Sequence, residues 1–207
     1  MLLEKTVSDL LDAFSAPDPT PGGGSASALA GALGAALLAM VAGMTKTKTG
    51  AEDEREALDS ARADLLALQG SLKELVELDA AAYSLVVAAY KQPRATDEEQ
   101  RARQKTIQEA MRVATQVPLE TMRACANVIR LARTVAAGGN PSASSDVKVG
   151  VQLALAGFRG AGYNVEINFG SLTDPDIAGP LKAAMQKLML EIGEDLGSVV
   201  APEETIQ

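Results

Sequence analysis

The apolar residues of this chain recur every three or four positions over long stretches, which is the spacing that places them on one face of an α-helix. No stretch alternates apolar and polar residues as a half-buried strand would, and no internal repeat is visible. The pattern predicts helices over approximately Thr6–Ser15, Ser25–Thr45, Glu52–Tyr90, Thr96–Val117, Pro118–Ala137, Ser145–Asn168 and Asp176–Val200.

Capping and breaking residues mark several of these helix ends. Thr96-x-x-Glu99 has the spacing of a capping box, which predicts an N-terminus at that position. Pro118 suits the first turn of a new helix, so it is expected to separate two helices. The run Gly138-Gly139-Asn140-Pro141 is expected to stop the second of them.

Composition supports the helical prediction and indicates a single unit. The 207 residues are 47% hydrophobic but only 3% aromatic, and most of the apolar residues are Ala, Leu and Val. Ala and Leu favour helices, whereas the residues that strands prefer are scarce. We therefore expect one domain over 1–207, folded as a single antiparallel bundle of about six to seven helices.

The stretch from residue 19 to residue 45 carries no charged residue, so it is long enough to span a bilayer. Much of it is Gly, Ala, Pro, Ser and Thr, however, and its neighbours read as amphipathic soluble helices. A helix that is apolar all round is also what the centre of a soluble bundle requires. We therefore expect a core helix whose small residues allow close packing within the core or across a dimer seam, and no membrane partner.

Charge and residue inventory exclude several classes of function. A net charge of −8 argues against a nucleic-acid partner. The single cysteine, Cys125, excludes an internal disulfide, has no metal-ligand spacing, and is expected to be a packing residue. Histidine is absent, which removes the commonest general base and metal ligand. No signal peptide opens the chain, so a cytoplasmic location is expected.

The loop Pro19-Thr20-Pro21-Gly22-Gly23-Gly24-Ser25 precedes the uncharged helix and is the first candidate for a binding site. Three glycines allow a close approach of the backbone to a ligand, and a helix N-terminus directs free amides toward an anion. Ser25 is able to cap the helix itself, but Ala28 stands where the glutamate of a capping box would be, which leaves first-turn amides available to a ligand. A flexible connector with an ordinary serine cap fits the same residues equally well, and the loop has neither the P-loop nor the dinucleotide-binding spacing.

One carboxylate interrupts the core stripe of the third helix. Leucine and alanine follow heptad spacing from Leu58 to Ala89, and Asp79 occupies one of the stripe positions. A buried carboxylate has a raised pKa, which suits a general base. Alternatively, Leu78 takes the core position and Asp79 lies at the rim. Tyr83, one turn further on, shares the face of Asp79.

The penultimate helix carries small residues and amides where bulky apolar residues would be expected, namely at Asp146, Gly150, Leu153, Gly157, Gly160, Asn164 and Asn168. This stripe indicates close backbone approach, or a cavity with two amides at one end. Asp146 and Asn164 are about 27 Å apart in a straight helix. They can serve one site only if the helix breaks or if a dimer brings Asp146 to the partner's site. A dipole partner at the helix N-terminus is the simpler reading of Asp146.

Basic residues gather in three places: at Lys46 and Lys48, at Lys91 and Arg94, and at Arg101, Arg103 and Lys105. Each group is able to hold a ligand carboxylate in this acidic chain. The alternatives are a helix C-terminus complemented by Lys46 and Lys48, and a solvated face for the arginine-rich segment.

The chain resembles the formiminotetrahydrofolate cyclodeaminase and methenyltetrahydrofolate cyclohydrolase family over nearly its whole length. The motifs that carry the resemblance are, in order, Thr20-Pro21-Gly22-Gly23-Gly24-Ser25 with the helix to Thr45, Asp79-Ala80-Ala81-Ala82-Tyr83, Pro93, the segment 98–103, Val117-Pro118-Leu119, Gly139-Asn140, Ser145-Asp146 and Asn164-Val165-Glu166-Ile167-Asn168. The chain departs from the family's Gly-Lys-Lys type segment at Lys46-Thr47-Lys48.

The resemblance implies an all-helical homodimer that acts on a tetrahydrofolate in one-carbon metabolism, with no metal and no cofactor beyond the folate. The implied catalytic residues are Asp79, as first choice for the base, and Asp146. The resemblance implies that Asn164, Asn168 and the glycine loop surround the same site. Together with the residues singled out above, the expected substrate-binding residues are Pro21, Gly22, Gly23, Gly24, Ser25, Tyr83, Asn164, Asn168, Lys46 and Lys48. The expected activity is a methenyltetrahydrofolate cyclohydrolase. A cyclodeaminase that releases ammonia, or a non-catalytic helical binding dimer, are the alternatives.

Overall fold

The computed structural model describes the backbone of residues 1–199 and the side chains to residue 193. The described residues are mostly helical, and none of them forms a strand. Six α-helices follow one another, with short 3-10 turns at Leu2–Glu4 and Pro141–Ala143. They are α1 Val7–Ser15, α2 Gly23–Ala42, α3 Glu52–Tyr90, α4 Asp97–Gly138, α5 Ser144–Phe169 and α6 Pro175–Val199. The all-α prediction is confirmed, and Val200, the predicted end of the last helix, lies outside the described residues.

Helices α2 to α5 form an antiparallel four-helix arrangement. Helix α2 packs against α3 and α5, and α4 packs against the same two helices from the other side. Contacts fix the directions: Gly24 lies beside Asp79 and Gly31 beside Leu72, so α2 and α3 run in opposite directions. Helix α6 covers α4. The N-terminus of α2 marks what we call the glycine-loop end of the bundle, and the C-terminus of α2 marks the opposite end.

Small residues bring α2 and α5 close together. A Cβ atom added to Gly157 would lie 2.6 Å from the carbonyl oxygen of Ser27, and one added to Gly34 would lie 2.6 Å from the carbonyl oxygen of Gly150. Real Cβ contacts of that length do not occur, so the two backbones approach because side chains are absent. The predicted role of the small-residue stripe on α5 in close packing is confirmed.

Helix α4 corrects the prediction that Pro118 separates two helices. It runs without a break through 42 residues, and the buried Pro118 lies in its interior. A proline has no N–H to donate to the carbonyl four residues back, which here belongs to Ala114. That carbonyl accepts a hydrogen bond of 2.7 Å from Nδ2 of Asn168 on α5. A side chain distant in sequence therefore replaces the missing backbone donor and allows the helix to continue.

Helix α2 is long and apolar enough to cross a membrane by composition, with a mean hydropathy of 1.8, but 61% of that window is buried inside the protein. Its burial matches the predicted core helix. One stripe of α2 remains at the surface or only partly covered, and it contains no charge: Ala26, Ala30, Leu33, Leu37 and Met40. Leu33 and Met40 are 51% and 45% exposed. The absence of a membrane partner stays a prediction.

Candidate active site

The carboxylate of Asp79 is bound to the first turn of α2. Its Oδ2 accepts a hydrogen bond of 2.8 Å from the backbone N–H of Ser25. The Ser25 hydroxyl lies 3.1 Å from the same oxygen and 2.9 Å from the carbonyl oxygen of Val76, and its single proton serves one of them at a time. A side chain of α3 thus satisfies an otherwise free donor at the start of a buried helix. This joins the glycine loop and the carboxylate into one site.

Ser25 is not the cap of α2, and the predicted start of the helix at Ser25 is corrected to Gly23. The helix begins at Gly23 with Gly22 in the cap position, which makes Ser25 the third helical residue. The backbone N–H of Ser25 is satisfied by Asp79, which lies far away in the sequence, so the residues at the helix start do not show this cap. A capping box that begins at Ser25 would need Glu or Gln at position 28, where the chain has alanine. The serine is instead fully buried and helps to orient Asp79.

Gly24 is required by the position of Asp79. A Cβ added to Gly24 would lie 2.7 Å from Oδ2 of Asp79 and closer still to Oδ1. The glycines at positions 22 to 24 have no positive φ angle, so their backbone conformation is open to other residues. Space for the carboxylate, and not backbone flexibility, is therefore what glycine supplies at position 24.

Asp79 occupies the core stripe of α3, as its heptad position predicts. Leu75 and Ala82 on either side of it are buried, Asp79 itself is half-buried, and the competing Leu78 is 49% exposed. Burial raises the pKa of Asp79 above its usual value, while the hydrogen bonds from the Ser25 hydroxyl and backbone act in the opposite direction. The result is a carboxylate with increased basicity, held in a fixed orientation.

Asn164 and Tyr83 lie at the same end of the bundle as this carboxylate. Asn164 is half-buried on α5, and a Cβ added to Gly23 would lie 3.5 Å from its Nδ2. That nitrogen donates to the carbonyl of Gly160 at 2.9 Å, so the direction of the amide is fixed. Tyr83 follows Asp79 by one turn of α3 and is 41% exposed. The glycine-loop end thus combines a carboxylate, an amide, a phenol and the first turn of a helix.

Asn168 has a structural role that the sequence pattern did not reveal. Its Nδ2 donates to the Ala114 carbonyl, which Pro118 leaves without a backbone donor. Asn164 and Asn168 lie on the same side of α5, one turn apart, as expected. Their amide nitrogens nevertheless donate to carbonyls of different helices, Asn164 within α5 and Asn168 to α4. Only Oδ1 of Asn168 remains without a described partner.

Asp146, Lys46 and Lys48 lie at the opposite end of the bundle. Asp146 is in the first turn of α5, and that helix is unbroken to Phe169, so the estimate of about 27 Å to Asn164 stands. The two lysines follow the C-terminus of α2 and are exposed. Within one chain, none of these three residues reaches the glycine loop.

Comparisons with known proteins identify the family of the chain. The family described as formiminotransferase-cyclodeaminase matches residues 6–187. The chain belongs to this family. It is 39% identical to a methenyltetrahydrofolate cyclohydrolase of Methylorubrum extorquens over 91% of both chains. It is 32% identical to the formimidoyltransferase-cyclodeaminase of Rattus norvegicus over 98% of this chain but 38% of that longer protein.

A solved structure of a family relative has the same fold. It is the formiminotetrahydrofolate cyclodeaminase of Thermotoga maritima, with a TM-score of 0.85, 25% identity and 96% of each chain covered. Both catalytic descriptions known for the family are therefore represented among proteins that match nearly the whole of this chain. Family membership alone does not choose between them.

The C-terminus of α2 is capped by a side chain of α3. Arg55 on α3 donates to the carbonyls of Met44 and Ala42, so it, and not Lys46 or Lys48, serves the C-terminus of α2.

Cys125 is fully buried, and burial raises the pKa of its thiol to about 12. Its place in the hydrophobic core matches the expected packing role.

The described side chains contain no group of three or more acidic or cysteine residues placed to hold a metal ion. The chemistry that this site offers is that of a fixed, basic carboxylate beside hydrogen-bonding groups. Such a site can take a proton from water and stabilise a nearby positive charge. The expectation of a metal-free reaction stays a prediction.

Proposed function

We propose that this chain is a methenyltetrahydrofolate cyclohydrolase, which hydrolyses 5,10-methenyltetrahydrofolate to 10-formyltetrahydrofolate. The observation that carries the proposal is the half-buried Asp79, which Ser25 holds against the first turn of α2 and whose pKa is raised by burial. Support also comes from the identity of 39% to a relative described as that enzyme, over 91% of both chains.

The reaction suits these residues because its electrophile is already activated. The methenyl carbon bridges N5 and N10 as a cationic amidinium, which the Asp79 carboxylate attracts. Asp79 takes a proton from water while the oxygen adds to that carbon, giving a tetrahedral carbinolamine. The bond from carbon to N5 then breaks, N5 receives the proton held by Asp79, and the hydroxyl proton leaves to solvent. The carbon stays on N10 as a formyl group.

The surrounding residues have supporting roles in this proposal. Asn164, with its Nδ2 held by Gly160, presents its Oδ1 to the pterin or to the water. The amides of Gly23 and Gly24 in the first turn of α2 receive a carbonyl or carboxylate of the substrate. Pro21 and Gly22 shape the entry of the loop, and Tyr83 supplies an exposed ring on the Asp79 side of α3.

A homodimer is part of the proposal, with one chain completing the site of the other. The uncharged stripe of α2 is centred on Leu33, which is 51% exposed at the middle of the helix. Two such stripes packed antiparallel about a two-fold axis place the glycine loop of each chain beside the opposite end of its partner. In that arrangement Lys46, Lys48 and Asp146 of one chain lie beside the glycine loop of the other chain, whereas they do not reach the glycine loop of their own.

The test follows the loss of the methenyl chromophore after mixing substrate with purified protein. The wild type is expected to accelerate hydrolysis over the spontaneous rate. Asp79→Asn should fold normally, and its catalysed rate should be about 10²–10⁴-fold lower than that of the wild type, which is the usual contribution of a general base. Cys125→Ser, at a buried packing site, separates a loss of folding from a loss of chemistry. A wild-type protein without acceleration would overturn the proposal.

Cyclodeaminase activity is the second candidate, because the solved relative with a TM-score of 0.85 is described as a cyclodeaminase. In that reaction N10 attacks the formimino carbon and ammonia leaves, so the same tetrahedral carbon lies beside the same carboxylate. Ammonia release from formiminotetrahydrofolate, measured on the same preparation, decides between the two. Release at a higher kcat/KM than hydrolysis of the methenyl substrate would make the chain a cyclodeaminase.

A further inference from the structure

The loop between α2 and α3 carries both of the lysines that the proposed dimer brings to the partner's glycine loop. It spans residues 43–51, and within it Lys46 and Lys48 are exposed, whereas Thr47 between them is only 6% exposed. The side chain of Thr47 is therefore directed into the protein. The two lysines project outward on either side of this anchored residue.

One carboxylate of α3 holds the loop in place. Oε2 of Glu54 accepts a hydrogen bond of 2.9 Å from the hydroxyl of Thr47 and another of 2.9 Å from the backbone N–H of Thr49. The hydroxyl oxygen of Thr47 accepts in turn from the N–H of Gly50 at 3.0 Å. The hydrogen bond from the Thr49 N–H is the largest cause that lowers the pKa of Glu54, so this carboxylate is charged at neutral pH. Glu54 thus binds the residues on both sides of Lys48.

The loop is also bound to the end of α4. The backbone N–H of Lys48 donates to the carbonyl of Gly138, the last residue of α4, at 2.9 Å. Among the described residues, neither Lys46 nor Lys48 forms an ion pair with a carboxylate. The backbone that carries the two lysines is therefore fixed at three points, while their ammonium groups remain available to an anionic group.

We propose that Glu54 is a positioning residue for substrate binding, which fixes this loop so that Lys46 and Lys48 direct two ammonium groups at an anionic group of the substrate in the partner's site. The inference rests on the proposed function, because the two lysines meet the substrate only in the proposed dimer. A loop that is already held in one conformation loses little entropy when its lysines bind an anion. Without Glu54 the loop must become ordered during binding. The affinity for the substrate then falls, while the reacting groups around Asp79 stay as they are.

The test compares KM and kcat for methenyltetrahydrofolate in a cycle of variants. Lys46→Met/Lys48→Met should raise KM by about three- to tenfold with little change in kcat, which matches the loss of two exposed ion pairs. Glu54→Ala should raise KM by about two- to fivefold when the lysines are present and should cause no further rise when they are absent. Its effect on the urea concentration at half-unfolding should be the same in both backgrounds. An equal rise of KM in both backgrounds would overturn the positioning role.

Two single variants provide the controls. Glu54→Gln removes the charge but keeps an oxygen that accepts from Thr47 and Thr49, so its KM should stay close to that of the wild type. Glu52→Ala removes the same charge from the first turn of α3, at a residue that has no described hydrogen bond to the loop, and should leave KM unchanged. A rise of KM in Glu52→Ala as large as in Glu54→Ala would show that the net charge of the chain is the cause, and the proposal would be wrong.

A second measurement does not depend on turnover. The affinity for 5-formyltetrahydrofolate, a stable isomer of the proposed product, is measured by calorimetry and should follow the same cycle. If the affinities show this pattern but methenyltetrahydrofolate is not hydrolysed, the positioning role stands and the cyclohydrolase proposal fails. If hydrolysis is normal but loss of both lysines leaves KM and affinity unchanged, the positioning role is wrong and the proposed function stands.

Discussion

At the scale of single residues, Asp79 shows how burial and hydrogen bonding compete at one carboxylate. Burial raises the pKa of Asp79, and the Ser25 donors lower it, with burial the larger effect. The folded protein therefore binds a proton at Asp79 more tightly than the unfolded chain does. Ionisation of Asp79 at neutral pH consequently lowers stability, in exchange for a better base.

The pH dependence of stability tests this balance. Because the folded pKa of Asp79 is raised, the stability that its protonated form provides is present below the unfolded pKa and is lost as the pH rises through the folded pKa. Asp79→Asn keeps an acceptor for Ser25 but does not ionise. The variant should therefore unfold at a higher urea concentration than the wild type at pH 7, and the difference should vanish below about pH 4.

Glu109 provides a comparison of opposite sign. Its pKa is lowered, chiefly by the hydrogen bond from Arg112, so its contribution is present above the unfolded pKa and lost as the pH falls. Glu109→Gln should therefore lose stability, by a small amount, only at neutral pH. A gain for Asp79→Asn that is equal at pH 3 and pH 7 would show that ionisation of Asp79 is not its cause.

At the scale of elements, α4 depends on a contact with a different helix. Pro118 withholds a donor from the Ala114 carbonyl, and Asn168 supplies one. Asn168→Ala is expected to destabilise the protein by about 1–3 kcal/mol, since it leaves a partly buried carbonyl unsatisfied. In the background of Pro118→Ala, where an N–H returns to position 118, the same change should cost about 1 kcal/mol less, measured by urea unfolding of the four proteins of the cycle.

Asn164→Ala is the matched control for this cycle. Its Nδ2 donates to the Gly160 carbonyl, which lies inside the unbroken α5 and so has a backbone donor as well. Its cost should therefore be the same with proline or alanine at position 118. Equal costs of Asn168→Ala in both backgrounds would mean that Asn168 does not replace the missing backbone donor.

The elements also show what local sequence can predict. The long helices α3 and α5 follow from periodicity to within one residue at each end, because one apolar stripe covers each of them. The start of α2 and the continuity of α4 were missed. Both depend on single side chains, Asp79 and Asn168, that lie 54 residues away from the backbone groups they satisfy. No local pattern encodes a cap or a donor supplied from another helix.

At the scale of the whole molecule, the predicted site residues lie in two groups, one at each end of the bundle. The carboxylate Asp79 and the amide Asn164 lie at the glycine-loop end, whereas Asp146, Lys46 and Lys48 lie at the opposite end. The sequence singled out these residues by their positions in the helical stripes and by the family resemblance, and their catalytic and binding roles stay predictions. Helix geometry alone predicted the separation of Asp146 from Asn164. The neighbourhood of Asp79, the glycine loop and Asn164 was not predictable from local pattern, because it depends on the direction of three different helices.

Disruption of the uncharged stripe of α2 tests the dimer. Leu33→Glu places a charge at the centre of the stripe and should give a monomer by light scattering or sedimentation, with a loss of cyclohydrolase activity if the partner's Asp146 or Lys48 contributes to the site. Leu190→Glu, on α6 at the other side of the bundle, introduces the same charge at a residue that is 73% exposed and should leave both properties unchanged. A wild-type protein that is monomeric at micromolar concentration would refute the shared site.

The overlap between a side chain at position 24 and the carboxylate at position 79 has a consequence for sequences alone. These two positions cannot vary independently during divergence. A relative that has gained even a methyl group at the position of Gly24 must have moved or lost the acid, whatever its overall identity to this chain. In a newly determined sequence, the residues at these two positions therefore indicate what has been inherited. Glycine together with aspartate indicates the same arrangement of loop and acid, whereas any other pair indicates only the surrounding helical bundle.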